Sequence, residues 1–209
     1  MTCTTGDPAR KPAERVNPLR PLLLLAVLMC AACAPKADAD KNIKENIAAF
    51  YRLHEAAPPQ GALSLTELIR FRPLLSVPLF EKLKDASVAE EAHFAKNAEL
   101  LAPLFEGDLF TARPQGLSAA RVSDCTVNED HAYCNTELNA ADGANIIKWK
   151  ERIFLVEDER GWVIDDIDFG RNNPPLRQGR LSAILEAGIE RGHIEAKDSV
   201  SDTPSDAPR

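Results

Sequence analysis

Phosphate-cradling glycine loops, spaced histidine pairs and a serine elbow are all missing from this chain. It has no glycine-rich nucleotide loop, no H-x-x-x-H and no G-x-S-x-G, and "ERGHIE" lacks the second histidine of a metalloprotease helix. These absences remove the usual signals for nucleotide, zinc-peptidase and serine-hydrolase chemistry. Positive charge is also scarce: 25 Lys and Arg face 32 Asp and Glu, a net charge of −7. No basic stripe with interleaved aromatics occurs, which excludes nucleic acid as the expected partner and makes a basic protein the electrostatically favoured one. A long hydrophobic run is absent too. The longest, Leu22 to Ala32, is eleven residues; at ~1.5 Å per residue it reaches roughly half of a ~30 Å hydrocarbon core and does not serve as a mature membrane span.

What precedes that run explains it. Arg10, Lys11, Arg15 and Arg20 outnumber Asp7 and Glu14, so the segment reads as a secretory leader whose positive end stays on the cytoplasmic side. Ala31 and Ala32 then lead into Cys33, and the pattern resembles a bacterial lipoprotein signal, with residues 1–32 removed and Cys33 acylated. Cys30 stands where such signals usually carry an aliphatic residue, but cleavage before Cys30 would put Met29 where a small residue is wanted. An ordinary signal peptide ending near Ala32 is the alternative, and both export the product. The resemblance implies a lipid anchor on a membrane at the periplasmic face of the cell envelope, with each buried methylene contributing ~0.8 kcal/mol. Ala34 after the cysteine implies the outer rather than the inner membrane. Removing residues 1–32 takes away four basic and two acidic residues, so the exported chain is more acidic still, at −9.

With Cys3 and Cys30 in the leader and Cys33 on lipid, Cys125 and Cys134 remain for the folded part. In "CTVNEDHAYC" two strands flank a turn near Asn128 to His131. Pairing 127 with 132 sets 125 opposite 134 on the same face, and an oxidising compartment favours a disulfide there. The spacing fits neither a zinc half-site nor a C-x-x-C redox pair.

Composition divides the exported chain into a small-residue, charged tether over 33–41, a domain over 42–193, and a disordered tail over 194–209 with almost no large apolar residue after Ile194. Ile43, Ile47, Phe50, Tyr51 and His54 recur at helical spacing; Ser64 and Glu67 have capping-box spacing before a second helix that Pro73 ends or kinks. Ser76 opens a third helix, with Leu79, Phe80, Leu83, Val88, Phe94 and Leu101 as a broken apolar stripe. Beyond Gly107, "RVSDCTV", "HAYCNTEL", "IIKWKERIFLVED" and "GWVIDDIDFG" read as a four-stranded antiparallel meander. In the last strand Trp162 and Ile164 are out of phase with Ile167 and Phe169, so a bulge at Asp165–Asp166 is needed to bury both pairs. A final helix follows Pro174–Pro175. The fold class is α+β: helices packed on a curved antiparallel sheet, with a C-terminal helix.

"FYRLHEA", "PLFEGDLFTA" and "WKERIFLVEDERGWVIDDIDFG" resemble the bacterial envelope proteins grouped as domain of unknown function 3828, within the nuclear-transport-factor-2-like (cystatin-like) superfamily. The resemblance implies a cone whose sheet wraps against helices, a pocket used variously for catalysis, small ligands or protein docking, and sheet faces that can form homodimers.

The residues available to such a pocket are Tyr51, His54, Trp149, Trp162, Asp165 and Asp166. Asp165, Asp166 and Asp168 with His54, His93 and His131 are the acid–base candidates, but no spacing pairs them. His54 lies on an apolar helix face and reads as a core histidine; His93 shares its helix with several acids and reads as surface. Neither catalytic residues, a metal site nor a cofactor is expected. "KWKER" is a basic stretch in an acidic chain, either a docking patch or a solvated strand face. The expected function is a non-catalytic binding module of the envelope, with an immunity protein against a periplasmic toxin as its sharper form. The rival is a cone-pocket enzyme of the dehydratase or isomerase type, or a small-ligand carrier.

Overall fold

The computed structural model describes residues 34–97, 102–170 and 177–201. The chain divides into two units, residues 1–35 and 36–209, and nearly all described residues belong to the second. The leader, Cys33, Leu101, Pro174–Pro175 and the end of the tail lie outside the described residues.

Helix α1 spans Ala34–Ala56 and buries Ile43, Ile47, Phe50, Tyr51 and His54, the expected stripe. It starts eight residues earlier than residue 42, so 34–41 is helix rather than tether. Alanines are strong helix formers, and Asp40–Lys44 and Lys41–Glu45 are i,i+4 ion pairs that support the exposed turns. Helix α2, Leu65–Phe71, opens with the predicted capping box: the Glu67 N–H donates to Ser64 Oγ and the Ser64 N–H to Glu67 Oε2. Pro73 converts the chain to a 3₁₀ turn, Arg72–Leu74.

Helix α3, Val77–Asn97, departs from the expected stripe. Val88 is exposed, and the buried face runs Leu79, Leu83, Ala86, Glu90 and His93. His93 is thus corrected from surface to interior: its Nε2 lies 2.9 Å from the Ala102 carbonyl, and Glu90 accepts the Leu104 N–H at 2.9 Å. Polar residues continue the helical spacing because they serve the backbone of the returning chain, a use that hydrophobic periodicity does not register.

Four antiparallel strands follow in the order β1-β2-β3-β4: Ala119–Asn128, His131–Asp142, Asn145–Asp158 and Gly161–Asp168. Val127 pairs with Ala132 and Cys125 with Cys134, and the two cysteines form the disulfide, with Cα atoms 4.1 Å apart. In β4, Phe154 pairs with Asp166 while Leu155 pairs with Ile164, leaving Asp165 as the extra residue. That bulge buries Trp162, Ile164, Ile167 and Phe169 together, as the phase change requires.

Helix α4, Leu181–Ser201, packs along α3 and against β4. It extends eight residues past 193, so part of the predicted tail is helical. Gly188 permits the packing: a Cβ there would lie 2.2 Å from the Phe105 ring. The core lies between the helices and the inner sheet face, drawing on Leu138, Trp149, Ile153, Leu155, Ile164 and Ile167. The sheet is covered unevenly, since β1 contains no fully buried residue while five of the eight in β4 are buried.

Candidate functional site

Tyr51 and His54 share the inward stripe of α1, one turn apart, which aims both at the segment joining α3 to β1. There the His54 Nε2 lies 2.5 Å from Asp108 Oδ2, with both residues fully buried. Asp108 Oδ1 also accepts the Phe110 N–H, and the Asp108 N–H donates to the Pro114 carbonyl at 2.8 Å. The turn that presents Asp108 depends on Gly107, at φ 63, where a Cβ would lie 2.4 Å from the Pro114 oxygen.

Glu151 enters from β3. Side chains alternate along a strand, so Glu151 shares the inner face with Trp149 and Ile153 and lies opposite Thr136 of β2. Its Oε1 accepts the Ala112 N–H at 2.5 Å and the Trp149 Nε1–H at 2.7 Å. Arg177 closes the group by donating to the carbonyls of Glu106, Asp108 and Thr111.

Electrostatics follow from dryness. Burial pushes the Glu151 carboxyl up to about 8, against the two N–H donors that favour its charged form, so it holds a proton at neutral pH. Burial also raises the Tyr51 phenol well above its ordinary value, with Glu151 and Asp108 adding to the shift. Arg177 is lowered by burial, while Asp108 and Glu151 oppose that shift. Tyr51 Oη and Glu151 Oε2 interact electrostatically but do not meet hydrogen-bond geometry, and both lack a hydrogen-bond partner among the described residues.

A histidine–carboxylate pair beside a neutral carboxylic acid and a phenol is a competent acid–base set where a substrate can reach it. Here the interior is filled. The Phe50, Phe71 and Phe110 rings pack at centroid distances of 5.0–5.6 Å beside the pair. Tyr51, His54 and Asp108 line none of the surface clefts of 390–520 Å³, and Glu151 is the one member of the acid–base set that borders such a cleft, of about 440 Å³. The cluster's visible work is mechanical, holding residues 106–112 to α1 and β3.

The predicted pocket residues therefore separate into two groups. Tyr51, His54 and Trp149 join through Asp108 and Glu151. Trp162, Asp165 and Asp166 lie on β4 instead, with Trp162 in the core. Asp165 accepts the Ser76 hydroxyl at 2.7 Å, and Ser76 in turn caps α3 by accepting the Leu79 N–H. Asp166 accepts both the N–H and the hydroxyl of Ser182 in the first turn of α4. The bulge splays the two carboxylates toward two helix N-termini, where negative charge and backbone donors are complementary. Asp108, Glu151 and Arg177 were not singled out from the sequence. The in-phase run Trp149, Glu151, Ile153, Leu155 could have exposed Glu151, whereas Asp108 sits in an aperiodic segment.

The outer sheet face has a different character. The antiparallel register sets Arg121, Glu137 and Lys150 side by side across β1, β2 and β3. Lys150 pairs with Glu137 at 3.2 Å, Arg152 stacks over Tyr133, and Arg180 stacks over Phe154. Two clefts of about 500 and 440 Å³ lie on this face and share Glu137 and Lys150.

Among the described residues no group of three His, Cys, Asp or Glu side chains is placed to hold a metal ion. No helix there is long and apolar enough to cross a membrane. No protein-family model, curated protein or solved structure matches this chain.

Proposed function

We propose that this protein is an exported, lipid-anchored binding module of the bacterial envelope that works without catalysis. The observation that carries the non-catalytic reading is the filled interior: the acid–base groups are buried, His54 is bonded to Asp108, Asp108 and Glu151 accept backbone N–H groups, and aromatic rings occupy the space a substrate would need. The Cys125–Cys134 disulfide supports an oxidising compartment. The basic leader and Cys33 support cleavage and acylation, and Ala34 supports retention at the outer membrane. The domain is read as a nuclear-transport-factor-2-like cone of the domain of unknown function 3828 type, on the motifs quoted above and on the α+β order of helices and curved sheet. An immunity protein against a periplasmic toxin is its sharper form, since an acidic anchored module suits capture of a basic toxic enzyme. Homodimerisation through a sheet face is compatible with this reading.

The cone-pocket enzyme keeps one observation in its favour, the His54–Asp108 pair beside a protonated Glu151. Affinity capture separates the two readings. Full-length protein solubilised in detergent is immobilised and exposed to envelope extract and to secretions of competing strains. One stoichiometric protein partner that survives moderate salt is the expected result. A co-purifying small molecule, with its turnover lost in His54→Ala, would replace the module with the enzyme.

A further inference from the structure

We infer that the outer face of the sheet, along β3, docks an extended acidic segment of a partner protein. The inference rests on the binding-module reading and assigns that module a surface. Strand alternation sends Lys148, Lys150 and Arg152 outward while Trp149 and Glu151 turn inward, so "KWKER" is basic on one face only. Successive outward side chains on a strand repeat at about 6.7 Å, the same repeat that alternate side chains of an extended peptide present.

The cations are concentrated at one end of the trough. Arg121, Lys148 and Lys150 line the 500 Å³ cleft with Glu137 as the sole carboxylate. Glu137 is taken up by Lys150, and neither Arg121 nor Lys148 has an ion-pair partner among the described residues. Two cations are thus unneutralised in a chain whose net charge is −7. Ile146 lies on the same outward column and is 68% exposed, the most exposed of the large apolar residues described. Unspent positive charge beside an exposed aliphatic side chain fits carboxylates flanking an apolar residue.

A membrane surface suits this face less well. Asp124 and Asp168 line the adjoining cleft with Arg152, and an evenly anionic lipid layer would meet them as like charges. A discrete segment can place its carboxylates over the cationic end alone. This preference runs opposite to that of the whole chain, whose acidity attracts basic proteins at long range.

The test uses full-length protein in detergent and fluorescence anisotropy with a labelled synthetic peptide alternating Glu and Thr around a central Ile. Its Gln analogue and phosphatidylglycerol vesicles are the comparison probes. Saturable binding of the acidic peptide is expected, weakened about tenfold by Lys148→Glu or Arg121→Glu, less by Lys148→Gln, and little by Arg70→Glu on the exposed face of α2. Equal binding of the Gln analogue, equal loss in Arg70→Glu, or preference for the vesicles would each overturn the inference. If a captured envelope partner binds Lys148→Glu as tightly as the parent protein, this surface is wrong while the module reading stands. Absence of any captured partner beside intact peptide binding would count against the module and leave the surface assignment in place.

Discussion

Lys150 and Glu151 are neighbours in the chain and opposites in circumstance. Lys150 stands in solvent with its side chain three-quarters exposed and loosely paired to Glu137. Glu151, one residue on, is dry and carries a proton at neutral pH. The covalent distance between them is trivial; the sheet separates them into two dielectric regimes. On the inner face, removing the partner of a buried polar or charged group costs several kcal/mol. On the outer face an ion pair is typically worth ~0–1 kcal/mol, and its charge remains available to another molecule.

Mutation can break that contrast, and the largest effect should come from Asp108. Asp108→Ala leaves His54 buried without its carboxylate and frees the Phe110 N–H, so unfolding free energy should fall by about 3–5 kcal/mol in denaturant titration. A loss no greater than that of an exposed substitution would mean the pair contributes nothing.

Glu151 sharpens the comparison through pH. Its folded value, about 8, lies above the ordinary 4.5. Below that ordinary value the folded and unfolded chains both hold the proton, and the carboxyl's contribution is fully present. Between the two values only the folded chain holds it, so stability falls with rising pH and reaches a lower plateau above about 8. Glu151→Gln should flatten this slope, gaining on the parent protein by a few kcal/mol between acid and alkaline pH. Parallel denaturation curves at both ends of the range would remove the dry carboxyl from the account.

Smaller effects follow. Cys125→Ser with Cys134→Ser should cost about 2–3 kcal/mol, because the bridge closes a short loop within one hairpin. Asp166→Ala should lower stability by about 1–2 kcal/mol through loss of its two bonds to Ser182. Lys148→Glu should change the unfolding free energy hardly at all, within ~0.5 kcal/mol, while altering binding. A marked destabilisation there would show that the outer face is structural after all.

The strand half of the fold was legible because period-two alternation, turn residues and the phase break in "GWVIDDIDF" are local signals. The hairpin register, the Cys125–Cys134 bond and the bulge at Asp165 all follow from them. The capping box at Ser64 is equally local. Helix ends were less legible: alanine and alternating charge at 34–41 suit a tether or a helix equally, and 194–201 likewise carries few apolar residues. The buried polar cluster was the least readable. Tyr51 and His54 are legible from their helix face and Trp149 as an aromatic, but His54's partner is Asp108, 54 residues along the chain, where no period predicts burial. Asp165 and Asp166 looked like chemistry because they are adjacent acids, and their bonds to two helix starts are visible only once the chain is closed.

Those two aspartates give β4 an unusual authority over the assembly. Ser76 reaches one and Ser182 the other, so the starting points of α3 and α4 are both set by a single pair of consecutive residues. Were β4 to slide by one position against β3, both carboxylates would turn to the wrong side, and neither helix could be seated. A misaligned hairpin is therefore incompatible with the seating of either helix. The bulge ties strand alignment to the seating of two helices that start more than a hundred residues apart in the chain, at Val77 and Leu181.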